Sequence, residues 1–86
     1  MARSLLRAFA GRGAAEEIRR GDKYRRQQGA HVVQFATVQD LKQDLLGIPH
    51  VQFKLVFECS DTTRFEEGSR ILALSSFLDQ YRERIG

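Results

Sequence analysis

The sequence predicts an α+β domain that is mainly antiparallel β: three or more strands in a twisted sheet, a C-terminal helix and a loosely ordered N-terminal helical arm. Three observations predict it. From Val51 the large apolar residues fall at every second position, Val51, Phe53, Leu55 and Phe57, then Cys59, with Gln52, Lys54, Val56 and Glu58 between them. Alternation of this kind places one set of side chains on a single face of a strand. Residues 31–38, His-Val-Val-Gln-Phe-Ala-Thr-Val, are rich in the β-branched and aromatic types that fit a pleated surface. Phe77, Leu78, Tyr81 and Ile85 recur instead at helical spacing.

Eighty-six residues make one domain. A chain of this length buries roughly 60–65% of its unfolded surface, so its stability margin is thin. Hydrophobic residues make up 42% and charged residues 29%, the balance of an ordinary small soluble globular domain. No apolar run reaches the roughly 18–20 residues of a membrane-spanning helix. One cysteine, Cys59, excludes an internal disulfide and a cysteine-rich zinc site, and suits a reducing, cytoplasmic location.

The net charge of +3 is unevenly placed. Arg3, Arg7, Arg12, Arg19, Arg20, Lys23, Arg25 and Arg26 face only Glu16, Glu17 and Asp22 within residues 1–30. The remainder is mildly acidic. Residues 1–20 read as a basic arm with an amphipathic helical pattern: Leu5 and Phe9 are four apart, as are Leu6 and Ala10, while Gly11 and Gly13 interrupt the stripe. Glu16 and Glu17 precede Arg19 and Arg20, the charge order a helix dipole favours, and Gly21 is a stop. Three uses compete for this arm: a docked terminal helix, an organelle-targeting presequence, and a basic arm for nucleic acid or an acidic lipid surface. Residues 21–30, polar and bounded by glycine, read as a linker, with Tyr24 either anchoring it or starting a short edge strand.

Residues 31–86 form the folded antiparallel domain. In the first strand either face could be buried: Val33, Phe35 and Thr37, or Val32, Gln34, Ala36 and Val38. The segment 37–47 is ambiguous. Leu41 and Leu45 at helical spacing suit two helical turns, whereas strand continuation to about Leu41, a turn through Lys42 to Leu46 and a return at Ile48 make a hairpin. The hairpin is favoured, because the link is short for a parallel crossover. Pro49 then starts the second strand, where no ladder donor is lost. Residues 60–68 read as a loop with Phe65 as a lid on the core. Residues 69–74 read as a third strand covered on both faces. Ser76 and Asp79 supply an N-cap pair for the last helix, and Arg82 and Arg84 fall in its final turn.

Little in the chain carries chemistry. His31 and His50 start consecutive strands, which an antiparallel pairing puts at opposite ends unless the register brings one back; with no cysteine or carboxylate at ligand spacing they make a poor metal site, and His50 is placed to hydrogen-bond its own turn. Cys59 continues the buried parity of the second strand and reads as a small core hydrophobe. No phosphate loop, nucleophile elbow or zinc spacing is present, so no catalytic residue, cofactor or metal is expected and an enzyme is not the reading.

Gly47-Ile48-Pro49-His50-Val51 followed by Leu72-Ala73-Leu74-Ser75-Ser76-Phe77 and Tyr81 resembles a set of small bacterial proteins with no assigned activity, and the element order is similar to SH3-like small barrels. The resemblance spans residues 21–85 and implies a compact, strongly twisted antiparallel sheet. A barrel of that kind needs about five strands, and Tyr24 and Phe65 would lie on the shorter ones. Two functions follow as expectations. The first is a protein-interaction or self-association module working through an exposed sheet edge or the Phe77/Tyr81 helix. The alternative is a nucleic-acid-binding accessory using Arg19, Arg20, Lys23, Arg25 and Arg26.

Overall fold

The computed structural model of the chain describes residues 6–9 and 15–86, with side chains described from Ile18 onward. Two short strands come first, β1 (Leu6–Phe9) and β2 (Ala15–Ile18), paired antiparallel with Leu6 opposite Ile18 and Phe9 opposite Ala15. The helix expected over residues 1–20 is therefore corrected wherever the chain is described. Residues 1–5 and 10–14 lie outside the described residues. The glycines read as helix interruptions, Gly11 and Gly13, are among them.

The main sheet has five strands: β3 (Lys23–Gln28), β4 (Val32–Gln43), β5 (Pro49–Cys59), β6 (Arg64–Ala73) and β7 (Glu83–Arg84). Their order is β6-β5-β4-β3-β7, antiparallel throughout. The alternating strand at 51–59 lies between β4 and β6. The segment 37–47 is hairpin, with β4 running on to Gln43. The sheet is open, because β6 and β7 are its two edges, so the closure implied by the SH3-like resemblance is absent.

Three expectations of loop or linker are corrected. Residues 21–30 hold β3, and Tyr24 is buried in the core rather than tethering a linker. Of the expected loop 60–68 only residues 60–63 remain outside strands. Phe65 lies half exposed on β6 opposite Phe57 and outside the buried core, and β6 is exposed along most of its length instead of being covered on both faces. The chain between β2 and β3 turns tightly. Gly21, with φ of +91°, donates to the Val38 carbonyl at 2.8 Å, and the Asp22 carboxylate accepts the Arg19 N–H at 2.9 Å.

Among the described residues, a short helix, α1 (Leu74–Gln80), covers one face of the sheet. Seven residues are too few for a stable isolated helix; packing holds this one. Leu74, Phe77 and Leu78 join Ile18, Tyr24, Ala36, Val38, Val51, Phe53, Leu55 and Tyr81 in one core. The Phe77 ring meets Tyr24 edge-on at 5.2 Å between centroids and lies 5.0 Å from Phe53. Burying one such side chain contributes about 1.5–3 kcal/mol. The helix starts directly from extended Ala73 with no side-chain cap, so the Ser76/Asp79 cap is corrected, and it ends at Tyr81. Arg82 and Arg84 fall beyond it, the latter on β7, and Ile85 is exposed.

The structure also decides which face of β4 is buried. Gln34, Ala36 and Val38 point into the core while Phe35, the larger residue, lies half exposed on the opposite face. Register puts Ala36 between Tyr24 and Leu55, where a large side chain would take the space of its neighbours. A bulge at Gln39 then switches the parity, so Leu41 pairs with Val51 on the core side. Gln34 enters the core as part of a chain of hydrogen bonds. The Tyr81 hydroxyl donates to its Oε1 at 2.7 Å, and its Nε2 donates to Gln28 Oε1 at 2.6 Å.

Candidate interaction site

Two leucines at the tip of the β4–β5 hairpin stand free of the protein. Leu45 has 104% and Leu46 83% of full residue exposure, and Ile48 beside them is 44% exposed. Nothing on the sheet reaches this far, because both strands have left the core by Gln43 and Pro49.

The turn that carries them is held by Asp44. Its Oδ1 accepts the backbone N–H groups of Leu46 at 2.8 Å and Ile48 at 2.9 Å. The Asp44 N–H donates to the Ile48 carbonyl at 3.1 Å, and the Gly47 N–H returns to the Asp44 carbonyl at 2.9 Å. Gly47 supplies the left-handed conformation, φ +80°, that closes the loop. The backbone N–H of Ile48, followed by those of Leu46 and Gly47 and the nearby His50, holds the Asp44 carboxyl below the ordinary carboxylate range. His50 Nδ1 lies 2.9 Å from the Ile48 carbonyl oxygen, the turn contact expected of it. The loop cannot fold its leucines inward without breaking these bonds. It presents an ordered apolar knob.

The residues expected to form sites are placed differently. Phe77 and Tyr81, expected as an interaction surface, are 0% and 3% exposed and belong to the core. Their helical spacing marked the face that packs inward. Arg19, Arg20, Lys23, Arg25 and Arg26 do not form one patch. Strand alternation sends Lys23 and Arg25 to the open face of the sheet and Arg26, with Tyr24, to the helix side. Arg20 pairs with Asp40 at 3.2 Å and Arg25 with Glu83 at 3.0 Å. Arg26 donates to Gln80 at 3.3 Å and lies over the Tyr81 ring, 5.9 Å from its centroid. Asp40 is held below its ordinary pKa by the Leu41 N–H first and Arg20 second.

His31 and His50 sit at opposite ends of the β4–β5 ladder, where Val32 meets Cys59 and Lys42 meets His50. Cys59 is half exposed, not buried as expected, because the sheet frays there into the 60–63 turn. Among the described residues no group of three or more His, Cys, Asp and Glu could hold a metal ion, and no helix is long and apolar enough to cross a membrane.

The leucine knob was missed in the sequence because Leu41 and Leu45 share helical spacing as well as strand and turn positions. The signal available was Asp44 and Gly47 bracketing two leucines in a turn, a place that strands cannot bury. Comparison with protein-family models, with curated proteins and with solved structures finds no match for this chain.

Proposed function

We propose that this chain is a protein-interaction module whose principal contact is the tip of the β4–β5 hairpin. The observation that carries the reading is the pair Leu45 and Leu46, both almost fully exposed on a turn locked by Asp44. Isolated apolar residues on a surface need no explanation, but adjacent ones on an ordered projection mark a contact. The partner would offer an apolar pocket. Sealing both leucines gives a gross gain of about 3–6 kcal/mol, from the usual ~1.5–3 kcal/mol per buried leucine. An ordered turn gives up little further freedom on binding, so more of that gain is kept.

The test is a photo-crosslinking residue placed at exposed Gln43, beside the tip, in both the wild type and Leu45→Ser/Leu46→Ser, with crosslinks mapped to residue level. The expected result is a partner attached through residue 43 whose capture falls at least tenfold in the double variant, with an unchanged melting temperature. Equal capture by both proteins refutes the reading.

A nucleic-acid-binding accessory is the second reading. In its favour, the register places Lys23, Thr37 and Lys54 in one row of the open face, with Arg25 and Phe35 in the next. Against it, Arg20, Arg25 and Arg26 already have protein partners. Binding of this kind weakens steeply with salt and is lost on charge reversal at Lys23 and Arg25. It is indifferent to Leu45 and Leu46.

A further inference from the structure

The two edges of the main sheet are unlike. β7 is two residues long, whereas β6 offers ten, exposed over most of their length, and among the described residues no strand covers its outer side. A free edge is a template for another strand unless something spoils it. β6 carries both usual defences. Its ladder with β5 shifts by one residue at Glu67, next to Gly68 with φ +87°, and Arg64, Glu66, Glu67 and Arg70 are spread along it. Such defences reject a generic strand. Here the charges are also complementary to their own reversed order.

Their intrachain partners separate them into two sets. Glu66 reaches Lys54 at 3.4 Å and Arg64 reaches Glu58 at 3.5 Å, both across to β5. Among the described residues, Glu67 and Arg70 form their ion pair along the strand, with each other, at 3.1 Å. That pair can change partners without stripping a charge from β5. With the bulged Glu67 left out of the pleat, strands reversed about a two-fold at Ser69 place Leu72 opposite Phe65 and Arg70 opposite Gly68 of the second copy, with Glu67 of that copy beside it. Leu72 and Phe65 pair with Val51 and Phe57 of β5, so both lie on the helix-covered side of the sheet and would meet face to face. Ile71, exposed on the open face, would lie opposite Glu66, which shares that face. Gly68, which has no side chain, leaves Arg70 of the other copy room to reach Glu67.

We infer that two copies of this chain pair antiparallel along the free edges of β6, Glu67 and Arg70 of each copy facing Arg70 and Glu67 of the other. The product is a continuous ten-stranded sheet with a helix-covered side common to both copies. Contact along one strand of about eight residues spans roughly 27 Å at ~3.4 Å per residue. It is smaller than a standard interface, so the dimer is weak and reversible. The inference rests on β6 and is independent of the leucine tip at the far end of the β4–β5 hairpin.

The experiment is sedimentation velocity of the full chain over a concentration series, with Arg70→Glu, Glu67→Arg and an equimolar mixture of the two. The wild type should show a concentration-dependent monomer–dimer equilibrium. Each charge variant alone brings like charges together twice per dimer and should dimerise about tenfold more weakly. In the mixture every such contact is again between opposite charges, although each chain still carries its own like-charged 67/70 pair. A heterodimer of wild-type strength there cannot come from restored folding. A wild type that stays monomeric, variants that dimerise as the wild type does, or a mixture that stays monomeric each overturns the proposal. The same series on Leu45→Ser/Leu46→Ser should be unchanged; loss of the dimer there assigns it to the tip and overturns the β6 arrangement.

Discussion

Tyr81→Phe removes one oxygen from the core and tests the buried hydrogen-bond chain directly. The Tyr81 hydroxyl donates to Gln34 Oε1 at 2.7 Å, and Gln34 is buried on the helix side of the sheet. Among the described residues no buried side-chain nitrogen or oxygen lacks a partner, so the substitution creates an orphan where none existed. The ring itself stays, with its centroid contacts to Phe53 at 5.5 Å and Phe77 at 5.1 Å. The expected cost is therefore that of an unsatisfied buried acceptor, about 1–2 kcal/mol, with almost no cavity contribution. For a domain of this size each kcal/mol moves the melting temperature by about 4–8 °C, so differential scanning calorimetry should record a fall of roughly 5–15 °C. Combining Tyr81→Phe with Gln34→Met removes both partners, and the double variant should cost less than the sum of the single ones. A fall below about 2 °C, or strict additivity, refutes the argument that this bond is made and buried. Burial also raises the Tyr81 pKa above its ordinary 10.0. Above that pH the unfolded chain gives up a proton that the folded one keeps, so stability declines as pH rises. The decline should be shallower in Tyr81→Phe.

Other predictions concern the tip and the N-terminal segment. Gly47→Ala meets no neighbouring atom but forces a left-handed φ on a residue with a Cβ; thermal melts should show a loss of about 1–2 kcal/mol, and a neutral result would mean the turn is not closed as described. The Asp44 carboxyl, held below its ordinary 3.8, keeps its clamp as pH falls through that value and loses it only lower. Amide resonances of Leu46 and Ile48 should report that midpoint, and Asp44→Ala should abolish the transition and speed exchange of both amides. A chain begun at residue 27 lacks Ile18 and Tyr24 from the core, each worth about 1.5–3 kcal/mol, and should show the poor spectral dispersion of an unfolded protein. Charge reversals, not truncation, are therefore the instrument for testing the arginines.

Much of the fold is legible in local patterns. The alternation from Val51 to Phe57 names the buried face of β5 without any partner in view, and the spacing of Phe77, Leu78 and Tyr81 names the buried face of α1. Legibility fails where a segment is too short or too polar to carry its own period. β3 has six residues with five cationic or amide side chains around Tyr24, and reads as linker because its stability comes from pairing with β4 and β7. β6 contains a bulge, and a bulge breaks the period on which recognition depends. The candidate site was hidden for a related reason. The leucines at 45 and 46 look like core residues until the strands around them are seen to have left the core.

Composition, alternation and turn residues by themselves determined one small antiparallel domain, its organising strand from Val51 and its terminal helix, and favoured a hairpin over a short helix at 37–47. Those are properties of period and local conformational cost, which a chain carries with it. Only the tertiary structure decided that Phe77 and Tyr81 face inward while Leu45 and Leu46 face outward, that Ala36 and not Phe35 enters the core, and that β6 is left with a free edge. Each of these depends on which surfaces meet across the sheet. A residue's own hydrophobicity says that burial would be favourable; whether anything is there to bury it is decided by the other elements.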